Sequence, residues 1–315
     1  MNVLNYGAGA VGLGIDSCLV KSKAKVFFVA RAYTAKALKE NGLKRMGIFG
    51  EVNILPDQLN VYTSLAEVPE MDFDFILVST KSFDSRATAE NLAKFPKLIG
   101  KNTKLVLCQN GWGNAEIFAE FFPKEIIYNA RVITGFTRPT PNEVVVTVHA
   151  DDIHIGSLFS DNLDCLQPLC KAITDGGIPC QTASEIEKDL WAKMLYNCAL
   201  NPLGAILGVS YGTLAEHKET KEIMNTVITE IYAVMKTAGY RTHWDTPKEY
   251  LEVFYSEMVP ATASHKSSTL QSLKAKKRTE IDALIGIVVK LAKEYDVPAP
   301  ANQTLLGMMK FLEKN

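Results

Sequence analysis

The chain has 315 residues, with 34 basic against 35 acidic side chains and a formal net charge of −1. That length exceeds the size at which one core stops growing, so two domains are expected, while the balanced charge excludes a nucleic-acid or anionic-membrane surface; the short basic run at 274–278 reads as the solvated side of a helix. Six cysteines without CxxC spacing and five scattered histidines predict buried cytosolic thiols and no metal site.

Residues 2–12, NVLNYGAGAVG, run from a short strand into glycines and then into the helical stretch LGIDSCLVK. This is GxGxxG between strand and helix, formed by Gly7, Ala8, Gly9, Ala10, Val11 and Gly12. Gly7 permits the tight turn, Gly9 lets the backbone approach a pyrophosphate, and Gly12 lets the helix pack on the strand, with the helix N-terminus facing the phosphates. The alternative is a glycine turn that holds no ligand. No apolar segment is long enough to span a membrane, and the opening strand enters the glycine motif directly with no signal-sequence pattern, so a cytoplasmic protein is expected.

The second strand, KVFFVAR at 25–31, ends at Arg31 where NAD-binding domains commonly place a carboxylate on the ribose hydroxyl. A guanidinium there pairs with a 2′-phosphate, which favours NADP over NAD; an ordinary surface arginine is the alternative. LKRMGIFGEVNI at 43–54 reads as an exposed hairpin. DFILVSTKSFD (74–84) and KLVLCQNGWGN (104–114) read as buried parallel strands followed by helices. Lys81 and Asn110 then stand at strand carboxyl ends, where an open α/β sheet binds its ligand. Lys81 would face the cofactor or an anionic substrate, and Asn110 the nicotinamide. Either alone is equally a capping or turn residue. Segments 129–139 and 143–157 are β-rich, and 176–183 reads as a last edge strand.

From about residue 184 the pattern is helical, with candidates at 184–207, 218–238, 246–257, 267–294 and 302–313. The expected division is 1–183 for a dinucleotide-binding domain and 184–315 for a helical one. In WAKMLYNCALNPLGAI (191–206), Lys193, Asn197 and Asn201 recur every four residues and form a polar stripe on an apolar helix. The stripe reads either as a solvated face or as a ligand site. Pro202 should kink the helix and free backbone groups beside it.

GAGAVG at 7–12, Arg31, TK at 80–81, NG at 110–111, K-x-x-x-N-x-x-x-N-P at 193–202 and SSTLQ…TEID at 267–282 occur in the order found in ketopantoate reductases (2-dehydropantoate 2-reductases), a family the chain resembles over essentially its whole length. The resemblance implies an α/β Rossmann domain followed by an all-helical substrate and dimerisation domain of the 6-phosphogluconate dehydrogenase C-terminal type. It also implies NADPH-dependent reduction of ketopantoate to pantoate, as in pantothenate and coenzyme A biosynthesis, by a homodimer. On this resemblance Lys193 is the proton donor, Asn197 and Asn201 bind substrate, and Ser268 donates a hydrogen bond to it. Asn110 is shared by cofactor and substrate, and Lys81 and Glu280 lie on the cofactor side. Without the TEID context, Glu280 reads as a surface glutamate. Tyr211 and His265 stand where some members carry Asn. Two alternatives remain: a reductase of another 2-keto acid, and a non-catalytic NADP-binding sensor.

Overall fold

Strand β1 (Asn2–Tyr6) is buried on both faces. Val3 joins one apolar cluster and its neighbour Leu4 joins another, as the two-residue period of a strand in a sheet covered on both sides requires. A computed structural model describes residues 1–315. The chain passes through α1 (Ala10–Lys21), β2 (Lys25–Val29), α2 (Ala32–Asn41), β3 (Leu43–Gly47), β4 (Val52–Ile54) and β5 (Asn60–Tyr62). It continues through β6 (Phe75–Val78), α3 (Ser85–Ala93), β7 (Lys104–Leu107), α4 (Asn114–Ala119), β8 (Ile127–Arg131), β9 (Thr134–Thr137), β10 (Glu143–His149), β11 (Ile153–Gly156), α5 (Gln167–Asp175) and β12 (Cys180–Thr182).

The main sheet has eight strands in the order β12-β11-β8-β7-β6-β1-β2-β5. Strands β5 to β8 through the centre are parallel, and only the β11–β8 pairing is antiparallel. Strand order reverses at β1, which lies between β2 and β6, so the crevice for a ligand in this doubly wound sheet opens at the carboxyl ends of β1 and β6. As expected, the last strand, β12, is an edge.

The segment at 43–54 is a hairpin, but the expectation that it is exposed is wrong. β3 pairs in parallel with β10, Lys44 opposite Glu143, in a second sheet of order β4-β3-β10-β9. Leu43, Arg45, Val52 and Ile54 are buried. Arg45 lies under α1, donating to Cys18 Sγ at 2.9 Å and to the Gly176 carbonyl at 3.1 Å. A guanidinium can be buried here because it serves backbone and sulfur acceptors at helix ends.

By internal contacts the chain divides into Met1–Gln109 with Asn114–Ile186, and Asn110–Gly113 with Glu187–Asn315. The second unit is helical: α6 (Ile186–Leu207), α7 (Tyr211–Glu216), α8 (Lys218–Ala238), α9 (Pro247–Val253), α10 (Val259–Ala261), α11 (Ser268–Lys274), α12 (Ile285–Glu294) and α13 (Pro300–Leu312). A single π turn over Phe254–Met258 joins α9 to α10. Helix α6 runs through Pro202 without interruption, and the adjacent Asn201 carbonyl accepts from the Ser267 hydroxyl at 3.3 Å. The carboxylate of Glu230 on α8 accepts from the Ala301 and Asn302 amides and so caps α13.

The helix expected over 267–294 is two helices. Lys276 takes a left-handed φ of 51°, and the following backbone is committed elsewhere. Thr279 donates through N and Oγ1 to the Glu313 carboxylate at 2.8 and 2.6 Å, and the Ala283 carbonyl accepts from the Trp112 amide at 3.0 Å. These partners replace the i to i−4 bonds that would have continued the helix. No helix of the chain is long and apolar enough to cross a membrane.

Candidate active site

In the first unit, Gly7 has φ +122°, and a Cβ there would stand 2.6 Å from the Ser79 carbonyl carbon and the Thr80 nitrogen. A side chain on Gly12 would meet the Gly7 carbonyl oxygen at 2.3 Å. The loop is therefore closed down on the end of β6 in a form that only glycine permits. Gly9 begins α1, whose first turn carries neither a side-chain cap nor an acidic residue, so its amides and partial positive charge are available to an anion.

Under this loop Asn5 donates to the Asp16 carboxyl at 2.6 Å, and Asn5 Oδ1 and Asp16 Oδ1 are buried without partners. Burial pushes Asp16 well above the usual carboxylate range, against the smaller opposing effect of the Asn5 hydrogen bond. Sequence inspection gave no warning of this pair.

Arg31 is exposed in the turn between β2 and α2. Lys81, also exposed, lies in the loop just after β6, at the start of a short turn. Two residues that the sequence reading missed join this region. Gln109, buried at the end of β7, donates to Thr80 Oγ1 at 3.1 Å, while its Oε1 and the hydroxyl of Ser79 are buried without partners. Arg138, from the turn between β9 and β10, donates to the Ala8 carbonyl at 2.7 Å, bonds the Tyr33 hydroxyl and lies over the Tyr33 ring. It is 107 residues beyond Arg31 and carries no local motif, so only the fold could reveal it. The orphaned acceptors at strand ends, the uncapped helix and the glycine loop fit a dinucleotide.

In the second unit, three separate stretches meet. Lys193 on α6 donates to Asn110 Oδ1 at 2.6 Å. Gly111, at φ +91°, packs where a Cβ would strike the Ala283 carbonyl oxygen at 2.2 Å. Trp112 completes an aromatic cluster with Trp191 and Tyr240, with ring centroids 4.9 to 5.1 Å apart. Glu280, three residues before Ala283, is buried in the same 280–283 turn. Trp112 thus anchors the loop that brings Asn110 to the lysine, a role that the sequence reading, which singled out only Asn110 and Gly111 here, did not assign.

The remaining stripe residues differ from one another. Asn197 is half-buried, whereas Asn201 is buried and its Oδ1 accepts from the Tyr211 hydroxyl at 2.5 Å. Ser268 is exposed at the start of α11, and the buried serine beside Asn201 is its neighbour Ser267. Chemically, the second unit offers an ammonium held by an amide, with further amides one and two turns along.

Family models described as ketopantoate reductase PanE/ApbA and its C-terminal domain match residues 3–159 and 185–313. A 2-dehydropantoate 2-reductase from Aquifex aeolicus is 36% identical over 315 residues, which is 99% of this chain and 97% of that one. A solved PanE/ApbA family ketopantoate reductase from Ralstonia eutropha JMP134 has a TM-score of 0.86 at 24% identity, covering 100% of this chain and 99% of the other. The ternary structure of D-mandelate dehydrogenase with NADH and anilino(oxo)acetate has a TM-score of 0.87 at 22% identity over the same shares; at such identities the likeness is one of fold. With both halves matched by its models and a full-length relative above 30% identity, the chain belongs to the ketopantoate reductase family.

Proposed function

We propose that this protein is an oxidoreductase that reduces ketopantoate (2-dehydropantoate) to pantoate with NADPH. The observation that carries this reading is the Lys193 ammonium held at 2.6 Å by Asn110, on a helix that also bears Asn197 and Asn201. A bound reduced nicotinamide dinucleotide supplies the hydride. Lys193 lies at the ketone oxygen, stabilises the negative charge that develops there and donates the proton. Asn110 orients the ammonium and reaches both cofactor and substrate, while Asn197, Asn201 and Ser268 hold the keto acid. The glycine loop at 7–12, Lys81 and Glu280 serve the cofactor. Arg31 selects the 2′-phosphate by a charge-assisted contact, which makes the nucleotide NADPH.

The test is a panel of 2-keto acids with NADPH, followed by loss of the reduced-cofactor absorbance. Ketopantoate should be the best substrate. Faster turnover of a different 2-keto acid would move the assignment to that acid on the same site, and nucleotide binding without any turnover would make the protein a sensor.

A further inference from the structure

Tyr211 is 3% exposed and Asn201 4%, so their hydrogen bond is sealed from water. At 2.5 Å the contact lies at the short end for O–H···O and below the range for N–H···O, so the phenol meets the carbonyl end of the amide. The phenol itself is fixed. Its ring packs edge-on to Tyr196 at 5.8 Å and against His265 at 5.2 Å. The Tyr211 amide donates to the His265 carbonyl at 3.1 Å, and the Tyr196 hydroxyl is in turn bonded to Thr262 at 2.5 Å. Burial pushes the Tyr211 phenol far above its usual range, so it remains a donor at every working pH. Asn201 Nδ2 donates to no group of the chain, and Asn201 is absent from the side chains that bury an unpartnered polar atom. The nitrogen is therefore the end of the amide that can meet a ligand.

We propose that Tyr211 is a positioning residue that determines specificity: by holding Asn201 Oδ1 it turns the amide so that only N–H faces the substrate, and the position selects keto acids whose distal group accepts a hydrogen bond. This rests on the keto-acid reductase reading. Asn201 lies eight residues beyond Lys193, about 12 Å along the axis at about 1.5 Å per residue, which assigns it to the end of the substrate away from the ketone. A hydroxyl satisfies Asn201 with a lone pair, and an ether oxygen would do so equally. A methyl group would leave the buried amide unpaired.

Three substrates separate these cases: ketopantoate, its methyl ether at the distal oxygen, and the analogue with methyl in place of hydroxymethyl. Each is assayed with NADPH on the wild type, Tyr211→Phe and Asn201→Ala. In the wild type, kcat/KM for ketopantoate and its ether should agree within about 2-fold, and both should exceed the methyl analogue by about 5- to 10-fold, as expected for one hydrogen bond. The difference should reside in KM. Tyr211→Phe, which keeps the ring and its packing, should reduce that selectivity to about 2-fold or less while NADPH affinity is unchanged; Asn201→Ala should abolish it.

A merely structural Tyr211 would lower turnover of all three substrates alike and keep their ratio, which overturns the proposal. So does a wild type that rejects the ether as strongly as the methyl analogue, because the amide would then be accepting. Turnover with flat selectivity defeats this inference alone. No turnover of any of the three would defeat the reductase reading and this inference together.

Discussion

Lys193 donates a 2.6 Å hydrogen bond to Asn110 across 83 residues of sequence, joining a helix to the loop that follows a Rossmann strand. This contact fixes the position of the ammonium, and the amide oxygen itself brings no charge to it.

Lys193→Ala should therefore lower kcat by about 10²- to 10⁴-fold, the usual worth of a general acid, while leaving NADPH affinity near that of the wild type. Steady-state kinetics and a nucleotide titration by fluorescence check the two halves. Wild-type turnover in the variant would remove the lysine from the mechanism.

Arg31→Asp should invert nucleotide preference. A charge-assisted contact to the 2′-phosphate is worth roughly 1.5–3 kcal/mol, or about 10- to 150-fold in affinity for NADPH over NADH. Dissociation constants for both nucleotides on both proteins test this, and equal weakening of the two would show that Arg31 is not the selector.

Asp16→Asn should stabilise the protein at neutral pH. The folded chain raises the pKa of Asp16, so it binds a proton that the unfolded chain releases from about pH 4 upward. Stability attributable to this group is thus full below the unfolded pKa and falls as pH rises towards the folded one. Asparagine replaces one unpartnered acceptor with a donor and has no proton to lose. The variant should match the wild type near pH 4 and melt a few degrees higher at pH 7–8 in thermal scans; a lower melting point at pH 7 would mean that the carboxylate is ionised and useful.

Trp112→Ala should cost stability and activity together. Removing a buried indole costs about 3–5 kcal/mol, or roughly 6–20 °C in melting temperature. Because the Trp112 ring and amide hold the loop carrying Asn110, kcat should fall even at temperatures where the variant is folded. Trp112→Phe should recover much of the activity, and loss of stability with undiminished kcat would separate the aromatic cluster from the site.

The sequence made the dinucleotide loop legible because its glycines answer to local geometry, and Gly7 and Gly12 sit where no Cβ fits. Lys193, Asn197 and Asn201 were legible as a stripe because helical spacing is also local. What escaped was set by partners distant in sequence. The hairpin at 43–54 was expected to be exposed because its pairing strand, β10, which makes it part of a larger sheet, lies about 100 residues later. The 267–294 helix breaks because Glu313 and Trp112 claim its backbone groups. The hold of Tyr211 on the carbonyl end of Asn201 escaped although only ten residues separate them, because the turn from α6 into α7 decides whether the two side chains meet.

Residues 110–113 belong with the helices, although the strand before them and the helix after them belong with the sheet. The helical half is consequently not a cassette. A gene fragment spanning 187–315 would encode every turn of α7 to α13 and nearly all of α6, yet its lysine would lack the amide that orients it and its aromatic cluster would lack one of three rings. An exchange of this half between relatives must carry four residues from the middle of the other half with it, or lose the Asn110 contact to Lys193.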